Sequence, residues 1–318
     1  MSLSKFFILI GNELRKIFVQ KSFVVTLLIL FIPVLILGRW DFVEKQLGTS
    51  KEVNWKSELI DQNKKNEKTI AEQGLGALSE QDKEQYEINT YRIKHNISNV
   101  QQYSVLDFMK KGAAITNFIG ILLIYFASSM MSKEHQWKTI NFLLVKPSTR
   151  RMIFYTKFIS LGILYFVFTF AILLYSFIIG SALNGMKFST QPVLMYVNNK
   201  VIEKSILPSL LHDYFINFLP FLLFIAIAYF LSTILKSGSV SLLISIILFA
   251  TSDVIASLLR AKSWSKYLPF MHTDLTVYIK GVNIENGMSI WFSITMLILY
   301  TLLFLIIAGE VFKKRDVI

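Results

Sequence analysis

Apolar residues gather into six long blocks, separated by polar segments of very unequal length. The blocks fall at 22–38, 112–131, 152–180, 214–235, 238–259 and 288–309, each long enough to cross a bilayer as a helix. The third, at 29 residues, exceeds what a bilayer needs and must tilt or project. Pro33 sits inside the first block, where it favours a kink, and Pro220 lies near the start of the fourth. Lys236-Ser237-Gly238 predicts a tight turn from the fourth span straight into the fifth.

The polar segments are of different kinds. In 1–21, Phe6, Phe7, Ile10, Leu14 and Ile17 recur at helical spacing with Glu13, Lys16 and Gln20 elsewhere, the pattern of an amphipathic helix lying in a membrane interface. This lead-in reads as retained, with no cleavage signal after the first block. Residues 39–111 mix twelve basic and twelve acidic residues with scattered apolar positions. One helix is expected around Val53, Trp55, Leu59 and Ile60, and a second along Tyr86, Ile93, Ile97 and Val100. Gly74, Gly76 and Ser79 are placed to turn between them. The segment 132–151 predicts a short amphipathic helix with Trp137, Ile140, Leu143 and Leu144 on one stripe. Glu134 and Lys146 complement its dipole, Pro147 ends it, and Ser148 or Thr149 caps the next helix at Arg150 and Arg151. Such a helix is either a surface anchor or a docking element for a soluble partner. Residues 181–213 read as a loop with Pro192 and Pro208, and 260–287 as a loop, extracellular or re-entrant, carrying Trp264, Tyr267 and Phe270. A tail, 310–318, follows the sixth span.

The expected fold is therefore an all-α integral membrane protein. It has six transmembrane helices, an N-terminal amphipathic helix, a short helix between spans two and three, and a helical insert at 39–111. Composition agrees: 53% of the residues are hydrophobic, 17% are charged and the mean hydropathy is +0.51, against about a quarter charged in a soluble protein. Charge then orients the chain. The termini, the 132–157 stretch and Lys236 together carry +10 of the net +12, in short segments beside span ends. The positive-inside rule makes that face cytoplasmic, in a multi-pass protein of the cell membrane. The basic excess is thus a topology signal, and no nucleic-acid motif accompanies it.

Little chemistry is visible. The chain has no cysteine, no GxxxxGK[ST] phosphate loop, no HExxH and no GxSxG, and none of His95, His135, His212 and His272 has a second histidine near it in sequence. No catalytic residue and no metal site are expected. Inside the blocks the one acid is Asp253, which either lines a polar pathway or pairs near the interface with Arg260 or Lys262. Asn117 and Asn217 are milder cases, suited to helix–helix hydrogen bonds.

The arrangement resembles the membrane subunit of ABC transporters of the ABC-2 type. Between its second and third spans that family carries an acidic residue, Gly-Thr, a Leu-Leu pair, Pro, Arg and Lys. Glu134, Thr139, Leu143-Leu144, Pro147, Arg150 and Lys157 match in order, with Lys138 where Gly is usual. The lead-in with Glu13-Leu14-Arg15-Lys16, the turn at 231–243 and the basic end Phe312-Lys313-Lys314-Arg315-Asp316 are also similar. The resemblance covers nearly the whole chain except 39–111.

It implies that Glu134, Trp137, Thr139, Ile140, Leu143, Leu144, Pro147 and Arg150 belong to a coupling helix docked on a separate ATPase subunit. Glu13, Leu14 and Lys16 would belong to a connecting helix that touches the same partner. ATP and Mg would be bound by that partner and no cofactor by this chain, which would not itself be an enzyme. A second permease chain, identical or not, would complete the unit. Asn117, Ser128, Ser129, Ser245 and Asp253 become candidate pathway-lining residues. The implied activity is export of an amphipathic substrate, with peptides and antimicrobial peptides favoured and lipids, drugs or polymer precursors open. The alternatives are a membrane sensor or immunity protein that binds an extracellular peptide without moving it, and a scaffold without transport.

Overall fold

In the computed structural model the described residues are 3–48, 55–73, 79–99, 103–136, 149–188, 191–197, 200–278 and 287–314. Six helical stretches are long and apolar enough to cross a membrane, and the chain is an all-α, multi-pass membrane protein. Helix α1 (Leu3–Phe18) lies before the first span, α2 (Lys21–Gly48). Helices α3 (Trp55–Gln73) and α4 (Glu80–His95) pack together as expected. Helix α4 stops at Asn96, which takes a φ of +56°, so Ile97 lies beyond it, and Val53 and Val100 lie outside the described residues. The second span is α5 (Val105–Gly112), one 3₁₀ turn (Ala113–Thr116) and α6 (Asn117–Gln136). The third is α7 (Arg150–Asn184), followed by the strands β1 (Val193–Val197) and β2 (Lys200–Lys204). Helices α8 (Ile206–Phe215) and α9 (Phe218–Leu235) make the fourth span, α10 (Gly238–Leu259) the fifth and α11 (Ile290–Lys314) the sixth. Below, the side of the bundle that holds α1 and the end of α11 is called proximal and the other distal.

Several boundaries differ from the sequence expectation, each for a local reason. The first span does not stop at Gly38: α2 runs ten residues further because its charges are engaged where it leaves the apolar layer. Lys111 Nζ lies 2.7 Å from Asp41 and 3.1 Å from Glu44, and Lys45 Nζ donates to the Leu183 carbonyl and to Asn184 Oδ1. Pro33 sits inside α2 without ending it. The second span starts early, at a capping box in which Ser104 Oγ accepts from Asp107 N and Asp107 Oδ2 from Ser104 N. The segment 181–213 is not all loop: α7 continues to Asn184 and stops where Gly185 takes a φ of +64°, which favours glycine. The hairpin β1–β2 and helix α8 fill most of the rest. Pro208 and Pro220 each occupy the third position of a helix, α8 and α9, where a missing N–H breaks no ladder. The fourth span is consequently two helices joined at Ile216-Asn217. The loop 260–278 is three successive 3₁₀ turns.

The core is built around α9. Its span is 61% buried against 11% for α10. It packs on α6, α10 and α11, with Leu223, Ala226, Ala228 and Tyr229 closed off from solvent. At 35 residues α7 is about 52 Å long, well beyond the roughly 30 Å of hydrocarbon, and its distal end stands beside the end of α2 and the start of α5. Trp40, Trp264 and Trp291 are exposed near the distal ends of their elements, where amphipathic aromatic rings mark a membrane–water boundary.

Candidate functional site

On the proximal side, α1 lies along the start of α7. Ile10, Glu13 and Ile17 form its buried face, with Leu14 half-buried beside them, while Phe7 and Ile8 remain exposed. Glu13 was expected on the polar side of this helix. It lies instead on the packed face, because a cation waits there. Lys157, 3% exposed, reaches Glu13 Oε2 at 2.7 Å, and Lys16 reaches the other carboxylate oxygen at 2.6 Å from the rim. A buried carboxylate is tolerated only when its charge is matched and its lone pairs are used, and this one has a cation on each oxygen. The sequence clue was spacing: Glu13 stands three residues after Ile10 and four before Ile17, inside the apolar stripe. Nearby, Arg151 pairs with Glu310, joining the start of α7 to the end of α11. Thr149 is the N-cap of α7, its hydroxyl accepting from Met152 N. Arg150 begins the helix. Trp137, Thr139, Ile140, Leu143, Leu144 and Pro147 lie outside the described residues, as does the side chain of Glu134, whose backbone belongs to the last turn of α6.

The candidate lining residues do not share one surface. Ser128 is buried in a seam of small residues where α6, α9 and α10 meet. Its carbonyl accepts from Ser232 Oγ at 2.5 Å and from Ser132 Oγ at 3.0 Å, and Ser241 Oγ donates to the Ala228 carbonyl at 2.7 Å. A β-carbon on Gly238 would fall 2.5 Å from Ser132 Oγ, and one on Gly120 would fall 2.9 Å from the Phe249 ring. Ser245 continues the seam, fully buried, and its hydroxyl has no hydrogen-bond partner among the described residues. Ser129 is half-buried and donates to Phe126 O. Asn117 and Asp253 are exposed on their helices, Asp253 beside exposed Val254. Asn217 stands at the break between α8 and α9, and its side chain caps neither helix.

The distal side carries a cleft of about 710 Å³ that the sequence reading did not anticipate. Its walls come from α4, α5, β1, the end of β2 and α8. Val193, Leu194, Met195 and Pro208 supply apolar wall, and Glu84 and Lys204 carry opposite charges at two places on it. Asp213 is also present, with His212 Nδ1 3.8 Å from its carboxylate. Tyr91 of α4 donates to Glu203 of β2 at 3.1 Å, so the hairpin α3–α4 and the strand pair hold each other in place. No sequence motif marks this cleft, because its residues come from four separate segments.

A third polar cluster organises the loop before α11. His272 is fully buried, its Nε2 2.9 Å from the Lys266 carbonyl and its Nδ1 2.7 Å from Ser293 Oγ, which also meets Tyr278. Burial pushes its imidazole below the ordinary value of 6.5, against the opposing pull of the Lys266 carbonyl. The ring is therefore neutral at pH 7: Nε2–H donates to the carbonyl and Nδ1 accepts from Ser293.

Comparison with known proteins adds a family. Residues 77–318 match the family described as "Protein of unknown function (DUF2705)". Uncharacterized protein YhcI of Bacillus subtilis (strain 168) is 32% identical over 272 residues, covering 83% of this chain and 85% of that protein. Uncharacterized membrane protein YdbK of the same organism is 25% identical over 199 residues, covering 62% and 76%. Since the family match runs from residue 77, just before α4, to residue 318, the chain belongs to the DUF2705 family.

Proposed function

We propose that this chain is the transmembrane permease subunit of an ATP-driven ABC exporter of the ABC-2 type. It moves an amphipathic substrate, a peptide in the favoured case, outward across the cell membrane. A separate ATPase chain binds ATP and Mg and docks on the 132–151 segment, and a second permease chain completes the unit. Both termini lie in the cytoplasm, on the side that carries the basic excess.

One observation carries the reading furthest. The Glu13–Lys157 pair buries the lead-in helix against the first turns of α7, eight residues after Thr149. A push on the 132–151 segment then moves α1 and α7 as one body, as a lever needs. The ordered match Glu134, Thr139, Leu143-Leu144, Pro147, Arg150 and Lys157 supports the same reading. An apolar stripe with ionic contacts at its edge suits docking on a partner protein.

The test is co-expression with a span-less Walker-type ATPase, to be sought in the neighbouring reading frames. Trp137→Asp combined with Leu144→Asp is expected to abolish co-purification and substrate-stimulated ATP hydrolysis while leaving the permease folded. Undiminished co-purification and hydrolysis would show the coupling assignment to be wrong. The distal cleft favours a second reading, a sensor or immunity protein that binds an extracellular peptide without moving it. Substrate uptake into inverted vesicles that depends on ATP separates the two.

A further inference from the structure

We infer that the distal cleft is a binding site for a short apolar peptide with a free amino end and a free carboxylate end. The inference stands apart from ATP coupling, because a receptor and an exporter would use such a site alike.

Size, surface and charge lead to it together. A volume of about 710 Å³ lies within the range of pockets that enclose drug-sized ligands, and is far more than a single amino acid fills. Val193, Leu194 and Met195 run consecutively along one wall and Pro208 adds to the apolar surface, which suits an extended apolar body. Of the lining charges, Asp213 has His212 beside it and interacts with Lys110, which also feels Asp107, so these charges are matched within the protein. The side chains of Glu84 on α4 and Lys204 at the end of β2 make no hydrogen bond or ion pair among the described residues. They sit on different elements, one negative and one positive. An apolar ligand with a cation at one end and an anion at the other complements that arrangement; an apolar ligand without charges would leave both groups facing it unmatched. The walls are also fixed in place, since Tyr91 ties α4 to Glu203 and β1 pairs with β2 from Val193–Lys204 to Val197–Lys200. A preformed cleft spares the ligand much of the ordering cost of binding.

The experiment uses the full chain in nanodiscs, without any ATPase, titrated calorimetrically with the pentapeptide Ala-Leu-Ala-Leu-Ala. Three forms are compared: free ends, N-acetylated and C-amidated. The free-ended peptide is expected to bind saturably. Acetylation and Glu84→Gln should each weaken it about tenfold, the loss expected for one charge-assisted contact. Applied together, the two should cost no more than either alone. Amidation and Lys204→Gln should behave as the corresponding pair. Met195→Lys, which places a charge on the apolar wall, should abolish binding in protein that still elutes as a single species. Absence of saturable binding would overturn the inference. So would equal affinity for all three peptide forms, or saturable binding of short-chain phosphatidylethanolamine where no peptide binds. Since no ATPase is present, such a failure leaves the coupling reading where it stood.

Discussion

Two regions, the α3–α4 hairpin and the seam of small residues, bury polar side chains in opposite ways. In the hairpin, α3 and α4 meet through amides that bond to each other across the interface. Asn89, 1% exposed, donates to Asn63 Oδ1 at 3.2 Å and to Gln62, and accepts from Gln85 at 2.8 Å. Asn63 donates to Thr90 Oγ1 at 3.0 Å and to the Tyr86 carbonyl. In the seam of α6, α9 and α10 the polar atoms are hydroxyls, and they donate to carbonyls that helices already use. Removing one hairpin amide strands its partner; removing one seam hydroxyl strands nothing. What the seam needs from Ser128, Gly120 and Gly238 is smallness, which lets the backbones approach. The hairpin's register is thus set by hydrogen bonds and the bundle's by volume.

The largest effect should come from breaking the bundle's rule. Gly120→Val would drive a branched side chain into the rings of Phe249 and Phe221, which a bare β-carbon would already meet at 2.9 and 3.2 Å. A loss of about 3 kcal/mol is expected, at the upper end of overpacking costs, read as a lowered thermal midpoint in nanodiscs. A midpoint within a degree of the parent's would show that the seam gives way easily.

Breaking the hairpin's rule should cost less. Asn89→Ala leaves the buried Asn63 Oδ1 facing a gap, for about 2 kcal/mol. The loss should appear as faster amide exchange along α3 and α4 with the bundle unchanged. Replacing Asn63 and Asn89 together by Leu should restore most of it, since no polar group is then left alone.

Smallest of all is a hydroxyl in the seam. Ser232→Ala should cost about 0.6 kcal/mol, the average for interhelical hydrogen bonds in a membrane. Ser245→Ala should cost nothing measurable, because its hydroxyl has no partner among the described residues. A loss above 2 kcal/mol at Ser245 would mean that its hydroxyl serves a purpose beyond packing, as a pathway-lining group would.

The six spans were readable from the chain because apolar blocks of that length have few other solutions. The start of α4 was readable because Ser79 is a cap, and it does accept from Asp82 N, while Gly74 and Gly76 lie outside the described residues. The continuation of α2 past Gly38 was hidden, because Asp41 looks like a boundary until Lys111, seventy residues away, is placed beside it. The strands were missed because Val193–Val197 is a short apolar run between Pro192 and Asn198-Asn199, without the alternation that betrays a strand. Of the candidate site residues, Glu13 gained a role from Lys157, while Asn117 and Asp253 proved to lie on exposed surfaces. Periodicity assigns a residue to a face of its own helix, but which face is buried depends on what packs against it.

The Glu13–Lys157 pair also decides how the N-terminal arm answers to ionic strength. Mobile ions screen charges they can approach, over about 8 Å in physiological salt. They reach the half-exposed Arg151–Glu310 pair and barely reach Glu13–Lys157, whose side chains are 9% and 4% accessible. An amphipathic arm held to a bilayer by surface charge is stripped by a high-salt wash. This arm is held by charges that salt does not reach, so it remains with the spans through extraction and behaves as part of the integral bundle.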